Sequence, residues 1–196
     1  GKIEGYTASE DITEYVRMDL RYKTAGGQEK TGSIVIRLYS SVAPITVANF
    51  QELVSEGFYD GLIFHRILKS GVSIIQGGDP EGTGYGGSDK TIKGEFDANG
   101  WLNPLSHTRG VISMARTQVK NSASSQFFIM HAEAGYLDGE YAAFGAVTEG
   151  IEVVDAIAAT KTRSVGWYDD VPYDPVVIEK VEIVERESVI LTVKPL

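Results

Sequence analysis

Apolar and polar positions alternate from Tyr15 onward, and the period of the alternation changes along the chain. In YVRMDLRYKT, Tyr15 to Thr24, a period of two predicts a strand. AGGQEKTG predicts a turn, and SIVIRLYS, Ser33 to Ser40, resumes the alternation with Ile34, Ile36 and Leu38 on one face. Together the two runs predict a hairpin. The period then lengthens in SSVAPITVANFQELVSEG, where Val47, Phe50 and Val54 recur at helical spacing, joined by Leu53. Pro44 suits the first turn of that helix, where a missing N–H costs nothing, and Gly57 supplies a stop.

Short strands follow in LIFHRIL, VSIIQG, GVISMA, SQFFIM and YAAFGAV. A second helix is predicted in EGIEVVDAIAAT, with Ile151, Val154, Ile157 and Ala158 on one side, and PVVIEKVEIVE closes the pattern as a strand. Residues 77–104 hold eight glycines and three aromatics and read as a long ordered loop. Many short strands, two helices and no strand–helix–strand rhythm predict a mainly β barrel or sandwich with helical caps.

Composition narrows the function. The 196 residues are 42% hydrophobic and 23% charged, which suits one soluble globular domain. The 27 acidic side chains against 18 Lys and Arg, a formal charge of -9, weigh against nucleic acid as a partner and against docking on anionic membranes. No apolar run reaches membrane-spanning length. The lack of cysteine removes disulfides and thiolate metal sites. It fits a cytoplasmic protein, with an exported or lipid-anchored form whose leader has been removed left open.

Several familiar chemistries fail on context. GTGYGG, Gly82 to Gly87, matches the bare dinucleotide glycine pattern, but no strand precedes it and no helix follows. His65, His107 and His131 lack ligand spacing, and Asp79, Glu81 and Asp89 lack that of a calcium loop, so no metal or cofactor is expected. Three long polar side chains stand out instead. Arg66 lies within IFHRIL, Gln76 ends SIIQ, and Gln126 precedes FFIM. Each sits beside aromatic or branched neighbours, the pattern of an apolar pocket with a few directed donors. The plainer alternative is that each ties down a loop carbonyl. Strand alternation sets Phe64, Arg66 and Leu68 on one side and His65 and Ile67 on the other.

The motifs FHRI, IIQGGDPEGTGYGG, GVISMA, SSQFFI and YLDGEYAAFGAV, in this order from about Val16 to Glu185, resemble the cyclophilin family of peptidyl-prolyl cis-trans isomerases, in its bacterial wording. The resemblance implies a closed eight-stranded antiparallel barrel capped by two helices, with the groove on its outside. It implies an isomerase domain over residues 13–187, after a flexible lead-in at 1–12 and before a C-terminal extension at 188–196 of open placement. Arg66 then matches the catalytic arginine, Gln76 the groove glutamine and Phe128 the floor of the proline pocket. Ile74, Leu137 and Tyr141 wall that pocket, while Ala115, Arg116 and Gln126 border the subsite for the residue before proline. Phe127 is expected to face the core.

Three departures from the family pattern stand out. KSGVSI is two residues longer than usual between Arg66 and Gln76 and lacks the customary aromatic, leaving Val72 or Ser73 in its place. Tyr136 stands where many eukaryotic members carry the tryptophan that contacts cyclosporin, so weakened cyclosporin binding is expected. Tyr141 replaces a common histidine. The expected partners are proline-containing peptides and unfolded or folding proteins, met by a monomer. The rival reading is a proline-peptide binding or chaperone module with weak or no turnover. A scaffold displaying residues 77–104 as an interaction surface is a third.

Overall fold

The computed structural model describes residues 15–184, so the lead-in at 1–12 and the extension at 188–196 lie outside the described residues. Strands β1 (Tyr15–Lys23) and β2 (Glu29–Leu38) form the expected hairpin, followed by helix α1 (Pro44–Ser55). β2 begins earlier than the sequence indicated, because Gly32 belongs to the strand rather than the turn. A Cβ there would lie 2.8 Å from a methyl of Val153, so the glycine permits the second helix to pack closely. β3 (Arg66–Leu68), β4 (Ile74–Gly77), β5 (Val111–Met114), β6 (Phe127–Met130) and β7 (Ala143–Glu149) come next, then helix α2 (Ile151–Ala158). A hairpin of β8 (Thr162–Val165) and β9 (Tyr168–Pro172) precedes the last strand, β10 (Val177–Ile183). Beyond Gly77, which ends β4, residues 78–104 are irregular except for a short 3-10 turn at Asp97–Asn99.

Eight strands form one antiparallel sheet in the order β10-β1-β2-β7-β5-β6-β4-β3. The sheet curls but is not closed by a ladder, which corrects the expectation of a closed barrel. β3 has only three residues, and the seam to β10 is held by one isolated bridge, Ile63 to Val177. Backbone bonds from Gly61 to Ile178, from Ile178 to Leu62 and from Phe64 to Val176 complete that seam.

The inward faces and the two helices share one core. Ile34, Ile36 and Leu38 are fully buried, as the alternation in β2 requires. Val47, Phe50, Leu53 and Val54 of α1 and Val154, Ile157 and Ala158 of α2 join them. Phe50 reaches the rings of Tyr59 at 5.2 Å, Phe144 at 5.2 Å and Phe127 at 5.9 Å, so aromatic edges and faces fill the centre.

Candidate active site

Register places the polar candidates on the outside of the sheet. Arg66 pairs with Gln76, Gln76 with Phe128, and Phe128 with Ser113, giving one row across β3, β4, β6 and β5. The adjacent row, Ile67, Ile75, Ile129 and Ile112, points inward and is fully buried. Alternation thus splits these strands into a core set and a surface set. It fails just before β3. Phe64 is buried in the main core rather than sharing the side of Arg66, because β3 begins only at Arg66 and Phe64 is bonded to Val176 instead. Arg66 is exposed, and among the described residues its guanidinium has no hydrogen bond or ion pair within the protein.

Beside this row lies a second, smaller apolar cluster. Ile74, Val111, Phe128, Met130, Ala134 and Ala143 are buried in it, and Val72, Ala115, Leu137 and Tyr141 pack around it. The Tyr141 ring meets Phe128 edge-on at 5.7 Å, leaving only 4% of Phe128 exposed. Val72, from the longer loop, is partly buried against this cluster. Ser73 does not join the cluster, and its carbonyl accepts the backbone N–H of His131 at 3.0 Å. Lys69 donates to the Thr160 carbonyl, so the longer loop is tied at both ends. Tyr136, in a 3-10 turn at Gly135–Leu137, is 64% exposed on the rim.

The glutamines join the row to the glycine loop. Gln76 donates to Gln126 Oε1 at 3.0 Å, and Gln126 in turn donates to the carbonyls of Gly84 and Gly86 at 2.9 and 2.8 Å. The plainer reading of Gln126, a tie for loop carbonyls, holds together with its place at the groove. Arg116 does likewise. It donates to the Glu140 carbonyl at 2.7 Å and lies over the rings of Phe96 and Tyr141, each at 4.8 Å. A cleft of about 340 Å³ runs between Ala115, Arg116, Gln126 and the loop Gly84–Ser88.

The loop that mimics a dinucleotide fingerprint already holds an anion of its own. The buried Asp79 carboxylate accepts backbone N–H groups of Glu81, Thr83, Gly84 and Gly86 at 2.7–3.2 Å. Burial alone would raise its pKa, but these four donors together hold the carboxyl below its usual range.

Sequence reasoning missed a polar chain under Phe128, buried at His107 and Ser113 and reaching the surface at Asp138. His107 stacks on that ring at 6.0 Å, with Nδ1 2.9 Å from Asp138 and Nε2 2.9 Å from Ser113. A carboxylate only accepts, so Nδ1–H donates to Asp138 and the Ser113 hydroxyl donates to Nε2. Nothing in the spacing of residues 107, 113 and 138 announces this contact. It is made by the fold.

The two buried histidines give the protein an acid-sensitive stability. Burial lowers the pKa of His107 below its ordinary 6.5, against the opposing hydrogen bond and charge of Asp138. Burial also lowers His65, against the pull of Asp79 and with a further push from Arg66. When the folded-state pKa lies below the unfolded one, acidification protonates the unfolded chain first. This stability is therefore fully present above the unfolded pKa of about 6.5 and is lost as pH falls through the window below it. Melting temperature is expected to drop on moving from about pH 7.5 to about pH 5.5, and less steeply in His107→Asn. An unchanged slope in the variant would show that His107 does not titrate in that window.

The β8–β9 hairpin was also missed, since Asp169 and Asp170 suppress the strand signal between Thr162 and Pro172. Its position bears on the site. A cleft of about 530 Å³ is floored by His65, Arg66 and Gln76 and walled by the loop Gly82–Tyr85 and by this hairpin.

Comparison with known proteins agrees with this geometry. Residues 20–183 match the family model described as cyclophilin type peptidyl-prolyl cis-trans isomerase/CLD. The chain is 41% identical over 160 residues to peptidyl-prolyl cis-trans isomerase A of Dickeya dadantii, covering 79% of this chain and 81% of that one. It is 48% identical over 124 residues to isomerase B of Bacillus subtilis, covering 63% of this chain and 82% of the relative. Among solved structures, a Cryptosporidium parvum cyclophilin type isomerase, determined in the presence of the dipeptide Ala-Pro, superposes with a TM-score of 0.70 at 31% identity. That match covers 86% of this chain and 99% of the other. By its motifs, its curled eight-stranded sheet and these matches, the chain belongs to the cyclophilin-type peptidyl-prolyl cis-trans isomerases.

Proposed function

We propose that this isomerase accelerates rotation about X-Pro bonds in peptides and folding proteins by directing the Arg66 guanidinium at the prolyl nitrogen of the twisted amide. The supporting observation is the outer row in which Arg66, Gln76 and Phe128 stand side by side on neighbouring strands. Planar amides resist rotation with a barrier of roughly 18–20 kcal/mol, because nitrogen shares its lone pair with the carbonyl. Twisting returns the lone pair to nitrogen, where a charged directional donor stabilises it more than in the planar state. Arg66 forms no hydrogen bond or ion pair among the described residues that would hold it away from a bound amide. The ring of proline rests against Phe128, Ile74, Leu137 and Tyr141, while Gln76, Ala115, Arg116 and Gln126 position the chain before it.

No bond is made or broken, and no proton changes owner. The phenol of Tyr136 on the rim lacks an indole donor, which supports weakened cyclosporin binding in the same reading. Exchange spectroscopy on an Ala-Pro-Phe-type peptide tests the proposal without a coupled protease. Exchange well above the uncatalysed rate is the expected result. Saturable peptide binding with no added exchange would overturn it in favour of a proline-peptide binding module.

A further inference from the structure

The β8–β9 hairpin stands against the edge of the sheet beside β3, and it carries a surface that packing does not explain. Its two-residue turn, Gly166–Trp167, has φ 61 at the glycine, where a tight hairpin needs a positive value. That turn lifts Trp167 to 99% exposure. Val165 and Tyr168 flank it, also exposed, and Tyr85 stands opposite, 82% exposed, with its ring 6.0 Å from that of Tyr168. Large rings left in water at a cleft mouth mark a contact surface rather than a folding element.

The hairpin also contains an irregularity. Arg163 pairs with Val171 and Val165 with Tyr168, so Asp169 and Asp170 together oppose the single Ser164. Asp170 adopts φ 62, alone among the described non-glycine residues. Bulges of this kind bend a strand and re-aim its side chains, and they recur next to active sites. Here both aspartates line the cleft whose floor is His65, Arg66 and Gln76. One oxygen of Asp169 accepts the Ser164 hydroxyl at 2.5 Å. In the floor, His65 is 6% exposed and both its ring nitrogens are buried without a partner. His65 thus brings two unsatisfied ring nitrogens directly beneath the cleft floor.

A polypeptide whose X-Pro bond lies at Arg66 must continue beyond it. The cleft under the hairpin shares Arg66 and Gln76 with the row described above. Aromatic faces beside two carboxylates form a receptor for a cation on a flexible stem. The two carboxylates outnumber the single guanidinium lining the cleft, and the whole chain carries a charge of -9 that draws in cationic partners. We infer that the β8–β9 hairpin is a specificity wall for the isomerase: it receives substrate chain flanking the X-Pro bond and selects lysine or arginine there through Trp167, Tyr168, Asp169 and Asp170. The inference rests on the isomerase reading above.

The test compares kcat/KM for a short Ala-Pro-Phe-type peptide with that for longer peptides. These carry Lys, Ala or Glu at positions two to four residues before or after the proline. Each long-peptide rate is divided by the short-peptide rate of the same protein. The native chain is expected to favour Lys over Glu by about five- to tenfold at one flank at low salt, with the preference shrinking as salt rises. Trp167→Ala and the double variant Asp169→Asn, Asp170→Asn are expected to bring that ratio near one. Asparagine tolerates positive φ, so the bulge can persist in the double variant. Equal Lys and Glu rates at every position, or a preference that survives in the double variant, would overturn the inference while exchange on the short peptide stands. Absent exchange on the short peptide would overturn the isomerase reading and this inference together.

Discussion

Arg66→Ala is expected to fold normally and to lose about 10²–10³ in isomerisation rate, roughly 2.7–4 kcal/mol of transition-state stabilisation. The side chain is exposed, and among the described residues it makes no hydrogen bond or ion pair inside the protein, so its removal leaves no internal group unpaired. The loss belongs to kcat/KM rather than to melting temperature. Arg66→Lys is expected to restore little, because an ammonium is a point charge without the planar fork that holds a directed donor. Exchange rates and melting curves on the same preparations decide the matter. A folded Arg66→Ala protein with more than half the native rate would remove Arg66 from the chemistry.

The second large effect separates two neighbours on one strand. Phe127 is fully buried and meets Phe50 at 5.9 Å, Tyr59 at 5.4 Å and Phe64 at 5.7 Å. Phe127→Ala is expected to cost about 3–5 kcal/mol, a large share of the roughly 5–15 kcal/mol that holds a domain together. Whatever protein remains folded keeps its affinity for proline peptides. Phe128→Ala also lowers stability, since its ring is nearly covered and stacks on His107. Its distinguishing result is weaker peptide binding and turnover in the folded fraction. Denaturant melts paired with peptide titrations read both. Exchanged roles would mean that the strand faces are misassigned.

The parts of this molecule that were legible in sequence are those where local pattern and tertiary role coincide. Both helices and the sheet strands were visible because their periods survive folding, as with Ile34, Ile36 and Leu38 or with Val47, Phe50 and Val54. Gly32 hid the start of β2, because its reason lies in Val153 on the helix packed against that strand. Ring closure was overstated, since nothing in LIFHRIL reveals that only its last residues join a ladder. Arg66, Gln76 and Gln126 stood out as long polar side chains among apolar neighbours, motif resemblance added Phe128 and the expected roles, and register then placed Arg66, Gln76 and Phe128 in a single row. His107, Ser113 and Asp138 were invisible because long-range contacts assemble them. The hairpin wall was hidden by two aspartates that local propensity counts against a strand.

The division of β3, β4, β5 and β6 into an inward isoleucine row and an outward row of Arg66, Gln76, Phe128 and Ser113 has a consequence for error detection during folding. A strand has a period of two, so slipping any of these four by one residue swaps its two sets at once. Such a slip on β6 would turn Phe128 inward and expose Phe127, removing the floor of the proposed proline pocket and opening the core in a single step. On the proposed function, an incorrectly paired chain is inactive for the same reason that it is unstable, and quality control acting on exposed apolar surface would also discard molecules that cannot catalyse.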